Sequence, residues 1–195
     1  MSKLEIRLAG SGGQGIILAT IILAEAAVIA GKNTAQSQSY GPEARGGMCK
    51  AEVIISDEPI GFTKVTSPDF LLALTQTSLD KFSKGLPSDC ILMADSSLTI
   101  PEGINVKKIY SLPILDTAKN EVGKAFTANM VAVAAVNAAL ELVPTEQLEQ
   151  AVFSHIPKGT EEINRKALYA GERLAKSIQI RSKYENSRIS SQRAF

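Results

Sequence analysis

Tryptophan is absent and histidine occurs once, at His155. A lone histidine leaves no His-rich metal pattern and no Ser–His–acid relay to be found by spacing. Cysteine is almost as scarce. Cys49 and Cys90 stand far apart with no C-x-x-C spacing, so they read as small buried hydrophobes rather than a disulfide or a cluster site. Also missing are G-x-S-x-G, G-K-[ST] and H-E-x-x-H, and no two carboxylates stand out as a general acid–base pair. Charge of one sign is lacking too. The net charge of +1 points to neither nucleic acid nor a strongly acidic partner. The apolar run at 14–30 is near the lower limit for a bilayer span, but a glycine turn precedes it and Glu25 interrupts it. It reads as a buried helix. No signal peptide precedes the first strand, and a cytoplasmic protein without a membrane span is expected.

What remains is ordinary globular material: 195 residues, 45% apolar and 21% charged, enough for one substantial core. The chain is organised around its first 31 residues. Residues 4–9 are rich in aliphatics and alternate, as a strand does. Gly10, Ser11, Gly12, Gly13, Gln14 and Gly15 follow, then an apolar helix over 14–30 with Gly31 as its stop. A strand, a glycine turn and a helix open a βαβ unit, and such a helix start can hold an anionic phosphate on its unpaired N–H groups. The spacing of Gly10, Gly12 and Gly15 fits G-x-G-x-x-G, which also serves close packing of helix on strand. A dinucleotide fold wants an acid roughly 20 residues on, for the ribose hydroxyls. No acid stands there until Glu43, so a stand-alone nicotinamide or flavin enzyme is disfavoured.

A second strand is expected at 33–39 and a third at 48–56, joined by Tyr40, Gly41, Pro42, Glu43, Ala44, Arg45, Gly46 and Gly47. A loop without a helix makes the two strands antiparallel neighbours and the sheet mixed. This loop is either structural, held by Glu43 and Arg45, or a recognition loop in which Arg45 offers its planar fork to phosphate or carboxylate. Residues 60–65 read as a short extended piece. Strand 70–75, helix 76–84 and strand 90–95 form a second βαβ unit, with Asp95 at its carboxyl end as a cap or a ligand contact. A strand at 105–110, a short helix at 114–120, and helices at 126–142, 145–155 and 161–184 complete the chain. Asn129, in the first turn of its helix, is a cap-region hydrogen bonder or part of a site. The expected fold is a three-layer, Rossmann-like α/β domain over 1–184, its mixed, mostly parallel sheet flanked by helices. A polar tail, 185–195, follows it and is expected to be mobile or bound to another chain.

The two glycine-rich segments, at Gly10–Gly15 and at Tyr40–Gly47, together resemble the gamma subunits of the 2-oxoacid:ferredoxin (acceptor) oxidoreductases. Ile55-Ser56-Asp57, Ser67-Pro68-Asp69, Asn129-Met130, Asn164 and Gly171 match as well, over roughly residues 3 to 175. The Tyr-Gly-Pro-Glu-Ala-Arg-Gly-Gly form looks most like the 2-oxoglutarate enzymes, with branched-chain 2-oxoacids and pyruvate as alternatives. The resemblance implies a subunit of an enzyme that decarboxylates a 2-oxoacid, passes electrons to ferredoxin or a related acceptor, and releases an acyl-CoA. Thiamine diphosphate and iron–sulfur clusters then belong to alpha, beta and delta-type partner subunits, and this chain carries no catalytic residue and no metal. Coenzyme A at its surface, near the Gly10–Gly15 turn, Glu43, Arg45 and Asn129, is the remaining binding expectation. A purely structural subunit is the rival, and a homodimer is expected of the chain in isolation.

Overall fold

A computed structural model describes residues 3–40 and 47–192. Its strands are β1 (Lys3–Ser11), β2 (Asn33–Tyr40), β3 (Met48–Ser56), β4 (Phe70–Ala73), β5 (Ile91–Asp95) and β6 (Lys108–Leu112). Its helices are α1 (Ile16–Ile29), α2 (Gln76–Phe82), α3 (Ile114–Asp116), α4 (Ala128–Leu140), α5 (Thr145–His155) and α6 (Glu161–Gln192). The six strands form one sheet in the order β2-β3-β1-β4-β5-β6. β1, β4, β5 and β6 run parallel, while β3 is antiparallel to both β1 and β2. This is the expected α/β fold with a mixed sheet.

The insertion of β3 has a consequence for ligand chemistry. In a dinucleotide fold the strand after the first helix lies beside β1. Here β2 is displaced by one strand, so its end lies about 10 Å from β1 at two inter-strand spacings. The absent ribose acid and the displaced strand are two marks of one departure from that fold.

Alternation along β1 divides the core in two. Ile6 and Leu8 face α1, α4 and α5, among the largest group of buried side chains, which also includes Leu72, Met93 and Tyr110. Ala9 faces the other way, with Leu71, Ala73, Leu92 and Ala94, under Leu79 of α2 and the partly buried Leu98, Ile100 and Ile104. The first face is closed by full helices and the second by one short helix and a loop. On the first face α4 and α6 approach to backbone contact: a Cβ added at Gly171 would lie 2.1 Å from the Val131 carbonyl oxygen. Alanines at 132, 134, 135, 167 and 170 allow that approach.

Four boundaries differ from expectation. Residues 60–65 form no strand. They lead to Val65, whose carbonyl accepts a bond from the Arg7 guanidinium at 3.2 Å. The strand expected at 105–110 sits at Lys108–Leu112, after a turn through Gly103. The helix expected at 114–120 is a single α-turn that widens into a π-helix over Thr117–Val122. Finally, α6 continues to Gln192, past the end expected at 184, so a helix covers most of the stretch predicted as tail.

Candidate functional site

The carboxyl ends of β1 and β4 lie side by side, and their chains leave the sheet in opposite directions. From β1 the chain enters α1 on one face, and from β4 it enters α2 on the other. Open α/β sheets bind ligands at such a switch point. Here it is drawn tight. Leu74 N donates to Ala9 O at 3.0 Å, and the buried Ser78 hydroxyl donates to Gly10 O at 3.1 Å.

The Gly10–Gly15 turn is partly satisfied from within. Ser11 N donates to Gln14 Oε1 at 2.7 Å and Gln14 N to Ser11 O at 3.2 Å. Gly12 N donates to Gly47 O at 2.9 Å. That last bond lays the end of the second glycine segment against the first, a long-range junction between the two motifs. Glu43, Arg45 and Gly46 lie outside the described residues, and Tyr40 closes β2. Of the expected site residues, the structure therefore brings together Gly10, Ser11, Gly12, Gly13, Gln14, Gly15, Gly47 and Asn129. The sequence predicts open N–H groups all along the turn; they survive at Gly13, Gly15 and the first turn of α1, which have no acceptor among the described residues.

Gly15 is the N-cap of α1, at φ 71°, and supplies no side-chain cap. Glycine takes that conformation without strain. Space requires glycine there too, because an added Cβ would lie 2.4 Å from Asn129 Nδ2. Asn129, only 7% exposed, stands in the first turn of α4, whose start likewise has no side-chain cap. A 3-10 turn over Ala125–Thr127 leads straight into α4, with Thr127 N–H on Lys124 O and Ala128 N–H on Ala125 O, so the open helix start here is that of α1, with the Asn129 side chain against it.

Other candidates resolve into structural roles. Asp95, almost fully buried, accepts from Ser97 N at 3.0 Å, Ser97 Oγ at 2.5 Å and Leu115 N at 2.8 Å, which makes it a cap. Cys49 and Cys90 are free and buried, and burial pushes the Cys90 thiol up to about 11, far from thiolate chemistry at neutral pH. Among the described residues no three His, Cys, Asp or Glu side chains gather as metal ligands. His155 pairs with Glu25, which also accepts from Ser154 Oγ at 2.7 Å; this ties α5 to α1 at the surface. The partners are 130 residues apart, and no local pattern announces them. Opposite α1, Arg7 donates to Glu52 at 2.6 Å, with Lys50 3.0 Å from the same oxygen.

Comparison with known proteins decides the family. The pyruvate ferredoxin/flavodoxin oxidoreductase model matches residues 5–174. The chain belongs to that family. The 2-oxoglutarate synthase subunit KorC of Methanocaldococcus jannaschii is 42% identical over 179 residues, covering 89% of this chain and 95% of that protein. A crystal structure of a keto/oxoacid ferredoxin oxidoreductase gamma subunit from Geobacter sulfurreducens is 46% identical, with a TM-score of 0.77 over 89% of this chain and 99% of that one. The 2-oxoglutarate:ferredoxin oxidoreductase of Magnetococcus marinus, solved with 2-oxoglutarate, coenzyme A and succinyl-CoA, shares the fold at a TM-score of 0.81 and 24% identity. This chain spans 32% of that longer one. The resemblance carried by the two glycine segments therefore holds, and the family member described here is an oxidoreductase subunit. Among its described residues no helix is long and apolar enough to cross a membrane.

Proposed function

We propose that this chain is the gamma subunit of a cytoplasmic 2-oxoglutarate:ferredoxin (acceptor) oxidoreductase, and that it completes the assembly and places coenzyme A. The whole enzyme cleaves 2-oxoglutarate to carbon dioxide and a succinyl group, hands the electron pair to ferredoxin or a similar acceptor, and transfers the succinyl group to the CoA thiol. Thiamine diphosphate supplies the carbanion chemistry and iron–sulfur clusters the electron path, both on alpha, beta and delta-type partners. The substrate assignment rests on the KorC relatives, of which three are 41–42% identical over 87–89% of this chain.

The observation that carries the CoA role is the uncapped start of α1, beside the Gly12–Gly47 bond and the Asn129 side chain. Unpaired N–H groups and a helix dipole at one point favour an anionic group, and the diphosphate of CoA is such a group. Holding one reactant of a bimolecular acyl transfer in place lowers its barrier by several kcal/mol. Surfaces for partners are available: Phe126 is 67% and Tyr169 68% exposed, and in isolation such faces can pair two copies of the chain.

The test is purification of the native complex and assay against 2-oxoglutarate, pyruvate and branched-chain 2-oxoacids, with CoA and a low-potential acceptor. Preference for 2-oxoglutarate supports the assignment; preference for another 2-oxoacid replaces it. For the CoA role, amide hydrogen exchange on the complex should slow over residues 12–18 when CoA is added. Unchanged exchange there leaves the chain an assembly subunit only.

A further inference from the structure

The two edge strands of the sheet are protected unequally. β6 is five residues long, carries Lys108 and stops at Pro113, features that discourage another strand from joining. β2 has eight residues in unbroken register with β3 and contains no charge, proline or glycine. Its only neighbour is β3, no other backbone bond among the described residues reaches 33–40, and none of residues 33–39 is buried. Above this edge lies α1, which packs over β3 and β2 more than over β1. Glu25 is the only charge in α1, so the helix is apolar on every side, as suits one covered all round. It is not covered all round. Ile17, Ile21 and Ala24 are half-buried and Val28 is 54% exposed, one stripe at i, i+4, i+7 and i+11. The stripe lies between Thr20, bonded to Gln36 of β2, and Glu25, bonded to α5, and looks out past the β2 edge.

We infer that this edge seats a second copy of the chain: β2 pairs antiparallel with β2 of the copy about a twofold axis, and the two α1 stripes pack on each other above the joined sheet. The inference rests on the reading that isolated copies pair, and it gives that pairing a face apart from Phe126 and Tyr169. Both layers are self-complementary. A twofold sets Ile17 against the copy's Val28 and Ile21 against its Ala24, large beside small in the inner pair. In the strands Gln36 meets Gln36 and Thr34 meets Gln38, so no charge faces its own copy. The two layers also share an axis. Gln36 Nε2 donates to Thr20 Oγ1 at 3.1 Å, which sets the height of α1 on β2. The midpoint of the stripe, between Ile22 and Leu23, lies about 4 Å along the helix from Thr20, or about one strand residue from Gln36. Glu25 and Lys32, the nearest charges in sequence, are held within the chain by His155 and Asp57. Eight strand residues span about 27 Å, and the sheet and helix layers together stand about 20 Å tall. That outline is roughly 500 Å² on each copy, which reaches the total of about 1,000 Å² that a specific interface needs.

Sedimentation of the full chain over a hundredfold range of concentration tests this. Wild type should be a dimer. Ile21→Lys sets an ammonium from each copy in the apolar stripe, and Ser37→Lys gives β2 the charge it lacks. Each should weaken the dimer at least tenfold, with circular dichroism and the unfolding midpoint showing that the monomer is folded. Phe126→Ala and Tyr169→Ala should leave the dimer within twofold of wild type. Gln36→Cys, close to the axis, should form a disulfide between copies when an oxidant is added, whereas Ser39→Cys, far from it, should not. The native Cys49 and Cys90 are buried, so the introduced thiol is the one that reacts. A dimer untouched by I21K and S37K, or crosslinked at S39C but not at Q36C, overturns the inference and leaves pairing to another face. A chain that stays monomeric refutes the pairing of copies altogether. If amide exchange at 33–40 then slows only in the assembled enzyme, the edge belongs to another subunit, and the inference falls with it.

Discussion

Two helices start side by side at the switch point, and they are finished differently. α2 begins after Thr75, whose hydroxyl accepts from Ser78 N at 3.4 Å and donates to Ser78 Oγ at 2.8 Å. Ser78 in turn bonds Gly10 O, so that helix start is closed by its own side chains. α1 begins after Gly15, which has no side chain to offer. Both ends carry the same dipole and the same orphan amides. One sequence neighbourhood supplies a cap and the other withholds it, and the withheld one is the glycine motif that marks the family resemblance. The capped start has used its donors within the fold, and the open one has not.

The largest effect should come from giving α1 a side chain at its start. Gly15→Ala places a Cβ at positive φ and against Asn129, costing about 2–4 kcal/mol from strain and overpacking together. Chemical denaturation of the isolated chain measures it, and pairing G15A with N129A should recover the steric part. Removing the Asp95 cap comes next. Asp95→Ala frees the amides of Ser97 and Leu115 and should cost about 1–3 kcal/mol with the KM for CoA unchanged. Opening α2 by Thr75→Ala should cost about 1 kcal/mol, again without effect on CoA. A change in CoA affinity in that variant would mean that the two helix starts are equivalent, which breaks the contrast.

The smallest effect is a dependence on pH away from the site. Glu5 lies on β1, and burial acts to raise its pKa. The Lys3 ammonium and the Ser67 and Thr66 amides outweigh burial and hold the carboxyl below its ordinary 4.5. A depressed folded value means stability that is present above 4.5 and lost as pH falls through the lower folded value. Glu5→Gln should flatten the acid limb of a stability-against-pH curve below 4.5 and leave the neutral region parallel to wild type.

Much of this was legible in the residues. The strand–turn–helix opening follows from aliphatic alternation, four glycines and an apolar run with Gly31 behind it, and α1 spans Ile16–Ile29 within the expected 14–30. The antiparallel pairing of β2 with β3 follows from a short, glycine-rich link between them, too short in sequence for a crossover helix. Less was legible where the decisive partner is remote. That β3 inserts between β1 and β2 is a choice of the sheet, not of any local segment. The π-turn at Thr117–Val122 adds one residue to a helical pattern, too little to disturb its periodicity. Glu25 and His155 meet only after two helices pack. Within the site, the glycines could be read directly, but the side chain of Gln14 folding back on Ser11 could not. The spacing of a motif records backbone freedom, not which neighbour will use a donor.

The backbone contact at Gly171 has a mechanical side. Helix α6 runs for 32 residues, about 48 Å at helical rise, and beds against α4 where Gly171 meets the Val131 carbonyl. With no compressible side chain between them, α6 cannot tilt at that point without carrying α4, and Asn129 stands in the first turn of α4. A neighbour that grips the far turns of α6 therefore has a lever whose short arm ends beside the open start of α1.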